Sequence, residues 1–176
     1  PSATWLACKQ QYRAYLHNLS LAYRGRVLER LAEHHSIDIV GGSPSYIHDR
    51  ERQGRALRGC RIYPPDYDGA GPIYAQSAIS LNITALQFDT ALVNRILDVF
   101  AAGGFVLTDC RQDVAELGPL HEPICAGSID DLAGKVDHYL AKPDARREIA
   151  QALRHEVAQR FTYERLIRAL FDRLDD

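Results

Sequence analysis

The 176-residue chain has no methionine, one tryptophan and only four cysteines. Cys8, Cys60, Cys110 and Cys125 are widely spaced, with no CxxC pair and no short-chain disulfide framework, so buried free thiols are expected. No apolar run reaches eighteen residues and no signal-peptide pattern occurs. Nothing therefore spans a bilayer as a helix or directs export, and a reducing cytoplasm is the default expectation. The seven histidines form no ligand set: His34 and His35 are adjacent on a helix end, and His48, His121, His138 and His155 are isolated. No metal and no cofactor are expected. The chain also lacks a Gly-x-Ser-x-Gly elbow, a Walker loop and a Gly-x-Gly-x-x-Gly turn, which argues against hydrolase, NTPase and dehydrogenase chemistry. Gly69-x-Gly71 alone is a weak signal. Without an initiator methionine, and opening on Pro1-Ser2, the chain is expected to be a processed product or a part of something longer.

The formal net charge is −2, which argues against a general nucleic-acid binder. The charge is uneven: residues 1–65 hold ten Lys or Arg against five Asp or Glu, and the remainder eleven against eighteen. Arg50, Arg52, Arg55 and Arg58 fall on what reads as a solvated helix, so this asymmetry points first to solubility. Length and composition suit one domain with a full core.

Apolar residues recur at helical spacing from Tyr12 to Ala32, with Gly25 a possible break into two helices. Ile37 to Val40 reads as a short strand ended at Gly41-Gly42, and Asp49 to Leu57 as a charged helix. Cys60 to Tyr63 reads as a strand stopped by Pro64-Pro65. A polar hinge follows, in which Tyr63 or Tyr67 could stack on a base or simply pack in the loop. Gly71 to Ala78 gives a brief helix.

The segment Ile79 to Asp109 is the richest. It reads as a strand (Ile79 to Ile83), a helix from Thr90 to Ala102 N-capped by Asp89 or Thr90 and closed by Gly103-Gly104, and a strand from Phe105 to Thr108. That is a βαβ unit. Ligands in open parallel sheets bind at the carboxyl ends of the strands, so Asn82, Thr84, Asp89, Thr90 and Asp109 are expected at one rim. The helix amino end, with free amides from Thr90 onward, could receive a phosphate or diphosphate. Asn94, Arg95 and Asp98 interrupt an otherwise apolar helix, and an Arg95–Asp98 ion pair is the plain alternative to a ligand role. Downstream, Pro123 to Cys125 reads as a poor strand and Ile129 to Ala141 as a helix halted by Pro143. A helix from Asp144 or Ala145 to about Arg160 and another from Tyr163 to Leu174 capped by Thr162 complete the reading. Alternating strands and helices predict a doubly wound α/β sheet.

Tyr74-Ala75-x-Ser77-x-Ile79-x-Leu81-Asn82-Ile83-Thr84, followed by Asn94-Arg95-x-x-Asp98-Val99-x-Ala101-Ala102-Gly103-Gly104-Phe105-x-Leu107-Thr108-Asp109, resembles the carboxyl-terminal half of CgeB-like glycosyltransferases of the GT-B fold. Asp113-x-x-Glu116-Leu117, Asp131-Leu132, Tyr139-Leu140-x-x-Pro143, Arg146, Ile149-Ala150 and Thr162-Tyr163-x-x-Arg165 extend the likeness over about residues 20–170. The resemblance implies a Rossmann-like open parallel sheet with helices on both faces, over residues 21–176. It makes residues 1–20 a helical remnant of an interdomain region. It implies a nucleotide-sugar donor as substrate rather than cofactor, and an amino-terminal acceptor-binding domain that this chain lacks. Donor contacts are implied at Gly42, Tyr63, Pro64, Asn82, Thr84, Asp89, Thr90, Asn94 and Asp98, with Asp98 on the ribose. Arg95 would stabilise the leaving diphosphate, and Asp109 would face the acceptor or cap a turn. Two positions depart from the pattern. Thr90 stands where many relatives carry an acidic residue, and Phe161 where a histidine is usual. The expectation is a domain that binds donor yet transfers poorly alone. A non-catalytic nucleotide-binding module is the first alternative, and a scaffold using Tyr12, Tyr15 and Tyr23 the second.

Overall fold

A computed structural model of the protein describes residues 3–40, 60–63 and 69–174. It divides into two compact units, Pro1–Gly69 with Ile83–Asp89, and Ala70–Asn82 with Thr90–Asp176.

In the first unit a single helix, α1 (Ala3–Ala32), runs unbroken through Gly25. A helical glycine costs about 1 kcal/mol relative to alanine, too little to end a helix anchored elsewhere. The anchoring is in its second half. Val27 and Leu31, four apart and so on one face, are buried. The Ser20 hydroxyl donates to the Leu16 carbonyl at 2.8 Å and accepts from the Leu86 amide at 2.9 Å. Arg24 Nε donates to the Ile83 carbonyl at 3.0 Å. These bonds give the segment 83–89, which has no sheet partner, somewhere to send its backbone polar groups. The strands β1 (Ile37–Val40) and β2 (Cys60–Tyr63) pair in parallel, Ile37 with Cys60 and Val40 with Tyr63. The expected turn at Gly41-Gly42, the helix 49–57 and the Pro64-Pro65 stop lie outside the described residues.

The second unit holds a three-stranded parallel sheet in the order β3 (Ser80–Asn82), β4 (Val106–Asp109), β5 (Cys125–Ala126). Leu81 pairs with Leu107, Asn82 with Thr108, and Asp109 with Ala126. All four residues of β4, Val106, Leu107, Thr108 and Asp109, are buried, as befits the central strand of the three. Helix α2 (Ala70–Gln76) precedes β3, and α3 (Asn94–Ala101) joins β3 to β4, giving the βαβ unit. Ile96, Val99 and Phe100 of α3 are buried, packing it against the sheet and against the later helix Pro143–Arg160.

The two ends of α3 differ from each other in how legible they were. Its carboxyl end is a complete Schellman motif: the Gly103 amide donates to Phe100 and the Gly104 amide to Val99, each at 2.9 Å, with Gly103 at φ +82°. Gly104 serves packing instead, since a Cβ there would lie 2.4 Å from the Tyr74 carbonyl oxygen. The amino end starts four residues later than the sequence predicts. Val93 is the N-cap and no side chain caps the helix, so neither Asp89 nor Thr90 does. The Thr90 carbonyl instead accepts from the Asp113 amide at 2.7 Å, which draws the segment before α3 into a non-helical path.

Between β4 and β5 the chain forms a 3-10 stretch, Gln112–Leu120, and a short helix α4 (His121–Ile124). The predicted strand at Pro123 to Cys125 is thus helical up to Ile124, and β5 begins at Cys125. Proline at the third position lies in the first turn of α4, where its missing N–H is no loss to the helix. Gly118, at φ 71° and ψ −159°, makes the bend in this connection in a region open essentially to glycine alone.

Helix α5 (Ile129–Ala141) has the bounds its spacing predicts, with Leu132, Val136 and Tyr139 buried on one stripe. Ser128 caps it, accepting from the Asp131 amide at 3.1 Å, while the Asp131 carboxylate accepts from the Gly127 amide at 2.9 Å. Helix α6 (Pro143–Arg160) starts on proline, whose missing N–H is no loss in a first turn. Arg146 of α6 donates to the Tyr139 carbonyl at 2.8 Å, which ties α6 to the end of α5. Thr162 caps α7 (Tyr163–Asp172) through the Arg165 amide at 3.3 Å.

Candidate functional site

Polar groups in the second unit collect at the carboxyl ends of β3 and β4. Parallel register sets Asn82 beside Thr108, and Asn82 Nδ2 donates to Thr108 Oγ1 at 3.0 Å. The Thr108 hydroxyl in turn has two acceptors on the next residue, the Asp109 carbonyl at 3.2 Å and Asp109 Oδ1 at 3.4 Å. Arg111 closes the chain, with Nε at 3.1 Å and Nη2 at 2.8 Å from Asp109 Oδ2. Asn82, Thr108 and Asp109 are all buried, Thr108 completely. A charge-assisted pair of this kind, sunk at a strand end, fixes both side chains and holds the edge of the sheet rigid.

Of the thiols expected to be buried, Cys125 is, next to this network at the start of β5, but Cys110, just past β4, and Cys8, on α1, are exposed. The Cys110 amide donates to the Ala126 carbonyl at 3.0 Å, continuing the β4–β5 ladder. Burial, reinforced by the Cys110 thiol beside it, pushes the Cys125 thiol up to about 12, so it stays protonated and unreactive at neutral pH. Lys135 of α5 donates to the carbonyls of Glu122 and Cys125, tying α5 to the junction of α4 and β5.

A different polar face is presented by α3. Asn94 and Asp98 are one turn apart, Arg95 is three before Asp98, and all three are exposed while the opposite face is core. The alternative of an intrahelical pair is not realised: no ion pair joins Arg95 and Asp98. The first helical amides are those of Asn94 and Arg95, so this face and the positive end of the helix coincide. Such a combination suits an anion at the helix end and hydroxyl donors at Asp98.

The sequence-predicted residues thus divide. Asn94, Arg95 and Asp98 share one face of α3, and Asn82 and Asp109 are joined through Thr108. Thr90 is exposed before α3 in the same unit. Thr84, buried, and Asp89, exposed, belong to the first unit, as does the β2 residue Tyr63. Gly42 and Pro64 lie outside the described residues. Sequence reasoning missed Thr108 as the bridge and Arg111 as the partner of Asp109. The second had a readable signal, since residues two apart leaving a strand point the same way. The first did not, because inter-strand register is invisible in a single chain.

Among the described residues no group of three His, Cys, Asp or Glu is arranged to hold a metal ion, and no helix is long and apolar enough to cross a membrane. Compared with known families, residues 22–172 match a family model described as glycosyl transferase-like. No curated protein and no solved structure matches the chain.

Proposed function

The chain belongs to the glycosyl transferase-like family, and from that premise we propose that it is the donor-binding domain of a CgeB-like, GT-B glycosyltransferase, acting on a nucleotide-activated sugar. The observation that carries this reading is the exposed face of α3, where Asn94, Arg95 and Asp98 lie beside the helix amino end with no ion pair between the two charges. The Asp98 carboxylate accepts hydrogen bonds from the two ribose hydroxyls, as an acidic residue does in dinucleotide folds. The diphosphate lies against the Asn94 and Arg95 amides, and not over Thr90, because the helix begins only at Asn94. As the bond between the anomeric carbon and the diphosphate oxygen breaks, negative charge grows on that oxygen. The Arg95 guanidinium and the helix end stabilise it. The buried Asn82–Thr108–Asp109–Arg111 network supports the strand ends without contacting donor. The acceptor, whose hydroxyl attacks the sugar, is bound by a domain outside this chain, so the chain alone binds donor and transfers poorly.

A thermal-shift panel tests the ligand class: nucleoside diphosphates and monophosphates of uridine, guanosine, adenosine, thymidine and cytidine, each at millimolar concentration. Stabilisation by one diphosphate, and less by its monophosphate, is the expected result. Equal shifts with inorganic pyrophosphate would reduce the site to an anion site, and no shift with any nucleotide would overturn the assignment. The substitution of Thr90 for the usual acid favours one second reading, a nucleotide-binding module without turnover. It predicts donor binding with no transfer even when the acceptor domain is supplied.

A further inference from the structure

Two of the chain's four cysteines meet at the end of the central strand of the second unit. Thr108 stands opposite Cys125 across the β4–β5 ladder, and side chains alternate along a strand, so Cys110 leaves the sheet on the same face as Cys125. The bond from the Cys110 amide to the Ala126 carbonyl carries the ladder as far as residue 110. The two thiols are in contact: the Cys125 S–H donates to Cys110 Sγ. Their surroundings differ. Cys125 is 5 % exposed, whereas Cys110 faces solvent. Packing accounts for a buried cysteine, which behaves as a small apolar side chain, but gives no reason for an exposed one held against it. An accessible thiol resting on a second thiol is the arrangement of a reacting cysteine beside a resolving one.

We propose that Cys110 and Cys125 form a reversible disulfide, which makes the end of β4 an oxidation-sensitive site with a hydroperoxide as its oxidant. In the first step the Cys110 thiolate attacks hydrogen peroxide. An S–O bond forms, the O–O bond breaks and hydroxide leaves, so the sulfur becomes a sulfenic acid as the peroxide takes two electrons. The proton that Cys110 gave up returns to that hydroxide as water. In the second step the Cys125 sulfur attacks the Cys110 sulfur. The S–S bond forms, the S–O bond breaks, and the departing hydroxide takes the Cys125 proton as a second water. Burial holds Cys125 protonated, so it does not react with the oxidant itself. Contact with its target replaces a diffusional encounter in the second step. The bond joins the two ends of the connection between β4 and β5, beside the Asp109–Arg111 pair. Because one sulfur is exposed, a small dithiol can reach the bond and reverse it.

To test this, the reduced full chain is treated with a small molar excess of hydrogen peroxide. Remaining thiols are blocked with N-ethylmaleimide under denaturing conditions, and unreduced tryptic peptides are mapped by mass. Trypsin cuts after Arg111, so the bond is read as peptide 96–111 linked to peptide 112–135. This species is expected to exceed any pair that includes Cys8 or Cys60 by about tenfold or more. Dithiothreitol is expected to return both thiols. Cys125→Ser is expected to stop at the sulfenic acid, which dimedone traps at residue 110. Cys110→Ser, at an exposed position where folding is least at risk, is expected to leave Cys125 reduced at the same peroxide dose. Cys110 carried on to sulfinic acid with Cys125 still free, both thiols left unreacted, or a disulfide between two copies through Cys110 would each overturn the proposal. So would oxidation of Cys125 in Cys110→Ser, or a 110–125 link that forms only after unfolding in urea.

Discussion

Gly104 offers the sharpest test of how the second unit is packed. It is buried directly after the α3 cap, and its Cα faces α2 so closely that a methyl group would sit 2.4 Å from the Tyr74 carbonyl oxygen and 3.0 Å from both the Tyr74 carbonyl carbon and Val99 Cγ1. Two of these three atoms are backbone, so no rotamer change relieves the contact. Helix α2 must move by several tenths of an ångström, or the Schellman bonds at Phe100 and Val99 must stretch. Overpacking a well-packed site costs about 1–3 kcal/mol, and the rigid backbone partner puts Gly104→Ala near about 3 kcal/mol by the same rule. For a chain of this size that corresponds to a fall in Tm of roughly 6–12 °C. Gly103→Ala is the control. Its φ of +82° imposes strain of about 1–2 kcal/mol, but the nearest atom to a new Cβ is the end of the flexible Arg154 side chain at 3.4 Å. Urea denaturation of wild type and both variants decides between them. If Gly104→Ala falls within about 0.5 kcal/mol of wild type, the ordinary range for a harmless substitution, the close approach of α2 to the α3 cap is wrong.

Other outcomes follow from the strand-end network and the thiols. Thr108→Val keeps the side-chain shape but removes the acceptor of the buried Asn82 amide, and is expected to cost about 1–3 kcal/mol in the same denaturation assay. Arg111→Ala leaves the Asp109 carboxylate, 9 % exposed at its side chain, without its nearest cation. It is expected to destabilise by about 3–5 kcal/mol, more than the Asp109→Asn/Arg111→Ala double variant per residue removed. Iodoacetamide at pH 8 is expected to label exposed Cys110 and spare Cys125 until the chain unfolds, as peptide mass mapping will show. Because the Cys125 thiol is raised from 9.0 to about 12 by burial, the folded chain holds a proton that the unfolded chain releases between these values. The stability from this group is therefore present below pH 9 and lost as pH rises toward 12, and Cys125→Ala is expected to flatten that part of a stability–pH curve.

How much of this could be read from the sequence depends on the kind of signal. The closing glycines of α3, the Thr162 cap and the bounds of α5 were legible because caps and 3.6-residue periodicity are local chemistry. The amino end of α3 was not. Asp89 and Thr90 are good capping residues, but a tertiary bond from the Asp113 amide to the Thr90 carbonyl holds that segment out of the helix. A tertiary contact likewise explains why Gly25 does not divide α1: Ser20, Arg24, Val27 and Leu31 anchor both sides of it. Within the candidate site, Asn94, Arg95 and Asp98 were visible as polar interruptions of an apolar helix. The inward role of Asn82 was hidden, because whether a strand-end amide faces ligand or neighbour depends on the residue across the ladder, here Thr108.

The central claim is that the exposed face of α3 holds a nucleotide. Calorimetric titration of the chain with UDP, GDP, ADP, dTDP and CDP, repeated on Asp98→Ala and Arg95→Ala, tests it most directly. One of these is expected to bind, and loss of the ribose contacts in Asp98→Ala to weaken it about tenfold or more, as removal of a hydrogen bond to a charged group does. Arg95→Ala is expected to weaken the diphosphate more than the matching monophosphate. Binding unchanged by Asp98→Ala, or no binding by any of the five, would contradict the assignment of this face as the donor site.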